Sequence, residues 1–262
     1  MLAYVGLLLF LYFFQHRLIF YPLPRAVTPA GANVSAVEIA GANGSALRGW
    51  LRRGNGEARP IVVYYCGNAE ELSYLAISTD FLPNADLLLV NYRGYGDSAG
   101  EPSAAGLLAD APLVLDYALA LAQRAPQAPN VFVLGRSLGG AMAVQAAAAR
   151  PVAGVILVTP FDELCAVAAG IYPWVPVRWL LRHHLAPVEL APQQRSPLLM
   201  LVAERDRLIP AERSRRLFKR CGGMKNWRSI SAVGHDDIAL ALEYDAAINA
   251  FIAAPNGLPD SD

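Results

Sequence analysis

Short runs of consecutive apolar residues alternate along most of this chain with longer stretches whose apolar positions recur every three or four residues. The runs are "IVVYY" (61–65), "DLLLVNY" (86–92), "NVFVLG" (130–135), "VAGVILVTP" (152–160) and "PLLMLVAE" (197–204), and the more polar "NWRSISAVG" (226–234) reads as a last strand. The helical stretches are "AEELSYLAISTDFL" (69–82), "SAAGLLADAPLVLDYALALAQ" (103–123), "LGGAMAVQAAAAR" (138–150), "AERSRRLFKRC" (211–221) and "DIALALEYDAAINAFIAA" (237–254). A strand with no polar alternation is one buried on both faces. Strands alternating with helices therefore predict a mostly parallel sheet with helices on both faces. Pro112 either kinks its helix or stands in the first turn of a second one. Two segments differ: "VSAVEIAG" (34–41) and "ALRGWLRRG" (46–54) alternate apolar and polar residues around Asn43-Gly44. They predict an antiparallel hairpin at the sheet edge.

Two further intervals break the rhythm. "MLAYVGLLLFLYFF" (1–14) carries no charge, Gln15-His16-Arg17 interrupts it, and "LIFYPLP" (18–24) resumes. Fourteen residues of helix reach about 21 Å, short of a bilayer core of roughly 30 Å. With residues 15–21 included and Arg17 extended toward the headgroups, the segment is just long enough to span. An uncleaved membrane anchor over 1–21 is the expectation. A helix packed on the protein is the alternative. A cleaved signal fits poorly, because there is no basic leading region and no small-x-small site. Few basic residues flank the segment to orient it. The second interval, 161–192, separates two strands, carries Tyr172, Trp174 and Trp179 with several prolines, and is too long for an ordinary connection. It predicts a small cap. The organisation expected is an anchor (1–21), a Pro-rich connector (22–34), an α/β domain (35–254) and a flexible tail (255–262).

Composition narrows the function classes. The 262 residues are 55% hydrophobic and carry zero formal net charge. A sizeable core follows, and a nucleic-acid partner is disfavoured because no basic stripe is present. Cys66, Cys165 and Cys221 are odd in number and widely spaced, so neither a zinc site nor a disulfide framework is expected.

Candidate chemistry gathers where strands end. Gly135-Arg136-Ser137-Leu138-Gly139 fits G-x-S-x-G, the sharp strand-to-helix turn that exposes a nucleophilic serine. Side chains two residues either side of the serine collide with neighbouring backbone in such a turn, which glycine avoids. Taken alone, Ser137 reads equally well as a helix N-cap. A serine nucleophile needs a base and an orienting carboxylate, and for this turn the chain order is Ser, acid, His. His235 in "AVGHDD" follows the last strand and is the candidate base, with His184 a distant second and a helix-capping loop histidine the plain alternative. Asp206 in "AERDRLIP" follows the preceding strand and is the candidate acid, ahead of Glu204. Its plain alternative is a surface ion pair with Arg205 or Arg207. Asp236 and Asp237 read as caps and first-turn acids of the last helix. The oxyanion donors expected are the backbone N–H groups of Leu138 and Asn68, although Asn68 also reads as a cap in a plain turn.

Four motifs now stand in order: "CGNAEELS" (66–73), "NYRGYGDSAGEPS" (91–103), "GRSLGGAMA" (135–143) and "GHDD" (234–237). With them the chain resembles the α/β-hydrolase superfamily, in its membrane-anchored ABHD13/ABHD17-like (Bem46-like) branch, over nearly its whole length. The resemblance implies an α/β-hydrolase fold and a Ser–Asp–His triad carried by Ser137, Asp206 and His235. It implies no metal and no cofactor. Members are described as esterases, lipid or acyl-protein thioesterases, or serine peptidases. One departure is Cys66-Gly67 where the family often has His-Gly, which changes what braces the oxyanion loop without removing backbone donors. In the long motif, Tyr92 and Arg93 read as packing, and Asp97 and Ser98 as loop braces.

The reading is a membrane-associated serine hydrolase of small-molecule esters, thioesters or lipids. Tyr172, Trp174 and Trp179 are candidate pocket residues, though such aromatics also serve as packing. A serine peptidase and a non-catalytic module that binds a lipid or a partner are the rivals.

Overall fold

A computed structural model describes residues 1–57, 59–125, 127 and 130–257. Eight strands form one sheet: β1 (Val34–Ala40), β2 (Ala46–Arg52), β3 (Ile61–Tyr65), β4 (Asp86–Val90), β5 (Val131–Arg136), β6 (Gly154–Val158), β7 (Leu198–Ala203) and β8 (Lys225–Ile230). Their order is β1-β2-β4-β3-β5-β6-β7-β8. The β1–β2 and β2–β4 pairings are antiparallel, and all others are parallel. Every residue of β3, β4, β6 and β7 is buried, as unbroken apolar runs require when helices cover both faces. The edge hairpin turns at Gly41–Ser45, where Gly44 takes a φ of 78°.

The helices are α1 (Leu2–Ile19), α2 (Ser73–Ile77), α3 (Ala104–Arg124), α4 (Leu138–Ala149), α5 (Leu164–Ile171), α6 (Val177–Leu180), α7 (Pro187–Leu190), α8 (Ala211–Arg220) and α9 (Leu242–Ala253). Pro112 sits inside a single continuous α3. The helix expected over 69–82 is cut to the five residues of α2. Ala69 takes a positive φ of 54° before it, and after it the buried guanidinium of Arg52 takes the carbonyls of Ser78, Phe81 and Leu82 at 2.6–2.8 Å. In the long glycine motif, Arg93 makes a two-pronged ion pair with buried Asp110 at 2.7 and 2.8 Å. Ser98 Oγ donates to Asn91 O at 2.8 Å, and Asp97 pairs with Arg25.

Residues 161–192 carry α5, α6 and α7, and α1 lies along them. Tyr4 Oη donates to Trp174 O at 2.8 Å, and Arg182 lies over the Tyr12 ring at 5.5 Å. Gln15, the buried residue of α1, donates to Leu180 O at 3.0 Å and accepts from Arg182 N at 2.7 Å. By length and composition α1 and α3 are both apolar enough to cross a membrane. Much of α3 is buried against the sheet, while in α1 Gln15 alone is buried and most of the other side chains stay exposed. The connector after α1 is bound too: Gly96 N donates to Leu23 O, and buried Glu71 accepts from Ala26 N. The tail expected to fray lies, over 258–262, outside the described residues.

His183 stacks edge-on against Phe20 beside His16. Burial, with His16 and Arg182 beside it, holds its imidazole below the ordinary value. The unfolded chain then takes up the proton first. This contribution to stability is complete above about pH 6.5 and is lost as pH falls through the lowered folded value. The drop in thermal midpoint between pH 7 and pH 5 should accordingly be smaller in His183→Gln than in the parent. Equal drops would remove His183 from the account.

Candidate active site

Parallel strands present their carboxyl ends on one edge, so the loops after β3, β5, β7 and β8 share one end of the sheet. Asn68 follows β3, Ser137 follows β5, Asp206 follows β7 and His235 follows β8. β5 and β7 lie two strand spacings apart, about 10 Å, a gap that one imidazole with a hydrogen bond on either side can fill.

Ser137 joins β5 to α4 at φ 50° and ψ −112°, a conformation that costs a non-glycine residue about 1–3 kcal/mol. Its N–H donates to Val158 O at 2.8 Å, and its carbonyl accepts from Gly140 N at 3.0 Å. A Cβ on Gly135 would stand 2.4 Å from Gly139 O, and one on Gly139 would stand 1.9 Å from Tyr65 O. The glycines let α4 press against β3 and β5. The Ser137 hydroxyl makes no cap bond to α4. Instead it lies 2.9 Å from His235 Nε2.

His235 Nδ1 lies 2.7 Å from Asp206 Oδ2. The other carboxylate oxygen accepts from Leu208 N at 2.9 Å and Ile209 N at 2.7 Å, which fixes its plane. The Asp206 side chain is fully buried. A carboxylate can only accept, so Nδ1 carries the proton and Nε2 is left as acceptor for the serine hydroxyl. Among the described residues Asp206 makes no ion pair with Arg205 or Arg207. His184 instead faces Glu189 on the exposed cap.

The acids after His235 depart from expectation. The last helix begins only at Leu242, after a 3₁₀ turn over Ile238–Leu240, because Ala241 is extended. Asp236 and Asp237 are therefore not its first-turn acids; those are Glu243 and Asp245. Asp237 Oδ1 accepts from Gly234 N at 2.6 Å and braces the histidine loop.

Other braces were not foreseen from the sequence. Glu70 accepts from Gly67 N at 2.7 Å and from the Tyr64 hydroxyl at 2.8 Å. Burial, with Glu70 beside it, pushes the Tyr64 phenol up, so it stays protonated and donates. Arg136 lies 3.6 Å from Glu70 and reaches the carbonyls of His235 and Asp236 at 3.4 and 3.2 Å. The loops after β3, β5 and β8 are thereby linked. Cys66 is fully buried, its carbonyl accepts from Tyr92 Oη, and burial pushes its thiol up, which leaves it a poor rival nucleophile. The N–H groups of Asn68 and Leu138 have no hydrogen-bond partner among the described residues. The Asn68 side chain is occupied elsewhere: Nδ2 donates to Ile19 O at 2.6 Å, and Oδ1 accepts from Tyr21 N and Tyr95 Oη.

Above Ser137 opens a cavity of about 370 Å³, reached by Asn68 and Leu138 and walled by apolar residues of α1 and α5. Tyr172 lines it. Trp174 and Trp179 do not; they stand on the outer surface, 54% and 88% exposed. Among the described residues no group of three His, Cys, Asp or Glu side chains is placed to hold a metal ion.

Comparison with known proteins adds four findings. The profile described as serine aminopeptidase, S33 matches residues 56–187. An uncharacterized Mycobacterium tuberculosis protein, Rv2307c, is 35% identical over 88% of this chain and 84% of its own length. The protein bem46 of Schizosaccharomyces pombe is 28% identical over 75% and 68%. Among solved structures, the Pyrococcus furiosus esterase Pf2001 superposes with a TM-score of 0.68 at 15% identity, covering 89% of this chain and 97% of that one.

Proposed function

We propose that this chain, which belongs to the Bem46-like α/β-hydrolases of the serine aminopeptidase S33 family, hydrolyses carboxylic esters or thioesters through an acyl-enzyme on Ser137. The observation that carries the reading is one imidazole bonded on one side to Ser137 and on the other to buried Asp206. His235 Nε2 takes the hydroxyl proton as Oγ attacks the carbonyl carbon. The carbonyl oxygen, now charged, is held by the N–H groups of Asn68 and Leu138. Asp206 keeps the ring in the required tautomer and stabilises the imidazolium. His235 then hands its proton to the departing alcohol or thiol. Water, deprotonated by the same nitrogen, attacks the acyl-enzyme, and the imidazolium returns that proton to Ser137 Oγ as the acid departs.

The apolar cavity supports a lipophilic acyl group, and the largely exposed, apolar α1 supports attachment to a membrane. Aminopeptidase action, the activity in the family's description, fits less well. Among the described residues no Asp or Glu lines the cavity to pair with a substrate ammonium. The test is hydrolysis of p-nitrophenyl esters from acetyl to palmitoyl by the full chain in detergent. Turnover with at least butyrate is expected. None with any ester, in folded protein, would contradict the reading.

Glu70 is a positioning residue in this scheme. A charged acceptor outweighs a neutral one by roughly 1–1.5 kcal/mol, so Glu70→Gln should lower kcat about tenfold with KM nearly unchanged. A parental kcat would show that the Gly67 turn needs no such hold.

A further inference from the structure

We propose that α1, besides attaching the protein, is one wall of the acyl slot, and that the acyl chain of a bilayer lipid reaches Ser137 by passing between α1 and α5. This rests on the ester-hydrolysis reading above and names its substrate class. Leu11, Leu18 and Ile19 of α1 line the cavity opposite Leu164, Val167 and Ala168 of α5, with Ser137 in the same cavity. From Leu11 to Ile19 the helix contributes a wall about 12 Å long. A slot of that length, lined mostly by apolar side chains, with the Gln15 amide tied up in bonds to backbone and Asn68 beside the nucleophile, matches an extended hydrocarbon chain ending in a carbonyl.

The docking of α1 is specific. Gln15 is the first of three polar residues that interrupt the apolar run of α1, and both ends of its amide are engaged: Nε2 by Tyr12 O and Leu180 O, Oε1 by Arg182 N. A helix serving only as a tether needs no such residue. His16 Nε2 adds a contact to Pro102 O at 2.7 Å. On the face of α1 turned from the slot, Leu9, Phe10 and Phe13 are half or more exposed, and so are Trp174 and Trp179 of the cap, where Trp174 O accepts from the Tyr4 hydroxyl of α1. So large an apolar surface belongs in lipid, and tryptophans favour the headgroup level. The slot therefore opens where lipid chains are. The Asn68 side chain, clamped to Ile19 O and Tyr21 N, joins the end of this wall to the loop that supplies an oxyanion donor.

The test uses the full chain in phospholipid nanodiscs. Leu11→Trp and Leu18→Trp fill the slot from the α1 side, and Leu9→Trp places the same bulk on the lipid face. The ratio of kcat/KM for p-nitrophenyl dodecanoate to that for the acetate should fall at least tenfold in the two slot variants and stay parental in Leu9→Trp. An unchanged ratio in both slot variants, with parental thermal midpoints, overturns the proposal. A second readout is independent of turnover. Palmitate carrying a diazirine, photolysed in the same discs, should label Val167 and Ala168 in the parent and lose that labelling in Leu11→Trp. If no ester is hydrolysed yet this labelling pattern appears, the slot stands and the hydrolase reading fails. If labelling persists in Leu11→Trp, the slot fails whatever the enzyme does.

Discussion

Ser137→Ala is expected to fold as the parent does and to hydrolyse esters about 10⁴-fold more slowly, or worse. The change removes one atom, Oγ, whose one hydrogen-bond partner among the described residues is His235. It costs α4 no cap, because the hydroxyl makes no cap bond. Alanine meets the same strain as serine at φ 50°. The bonds that hold the turn, Ser137 N to Val158 O and Gly140 N to Ser137 O, are backbone bonds and survive. Stability and activity should therefore separate cleanly, with an unchanged thermal midpoint and kcat/KM on p-nitrophenyl butyrate near background. Retention of more than about a hundredth of parental turnover would require another nucleophile or a directly activated water. Cys66 is a poor candidate for that role, being buried and held as a thiol.

Gly139→Ala should do the reverse, damaging the fold and the chemistry together. Its Cβ would stand 1.9 Å from Tyr65 O and 2.6 Å from Cys66 O, backbone atoms of a fully buried strand end that cannot rotate away. Either α4 moves off β3 or the strand end bends, and Leu138 N–H moves with it. Overpacking against rigid backbone costs about 3 kcal/mol or more. For a chain of this size that lowers the thermal midpoint by about 6–12 °C. Gly170→Ala in α5 is the matched control: nothing lies within 4 Å of its added Cβ, so stability should hold or rise slightly. A Gly139→Ala protein within 1 kcal/mol of the parent would show that the close approach of α4 to β3 is not what shapes the turn.

Much of this was legible in the sequence because it is local. An unbroken apolar run such as "PLLMLVAE", short and bounded by turn signals, reads as a doubly covered strand, and Asn43-Gly44 between alternating segments reads as a turn. Ser137, Asp206 and His235 were legible because each stands just past the end of a parallel strand, and the sheet order brings those ends together. What stayed hidden depends on partners far along the chain. α2 stops where Arg52 takes the following carbonyls, some thirty residues away in sequence. Glu70 and Arg136 meet across loops from different strands. Trp174 and Trp179 looked like pocket residues because they are aromatic and sit in the cap, but composition carries no sign of which face a short helix turns outward. The role of α1 is of the same kind. Its run of apolar residues predicts a lipid-facing helix, and only the fold reveals that one side of it reaches the cavity over Ser137.

The central claim is that His235 and Asp206 make the Ser137 hydroxyl a nucleophile, and one covalent measurement tests it without knowledge of the substrate. The full chain in detergent is treated with a fluorophosphonate, digested, and the adduct located by mass spectrometry. The account predicts a single phosphonylated residue, Ser137, absent in Ser137→Ala and strongly slowed in His235→Gln. Folded protein that forms no adduct, or that forms one equally well after Ser137 is replaced, would contradict it.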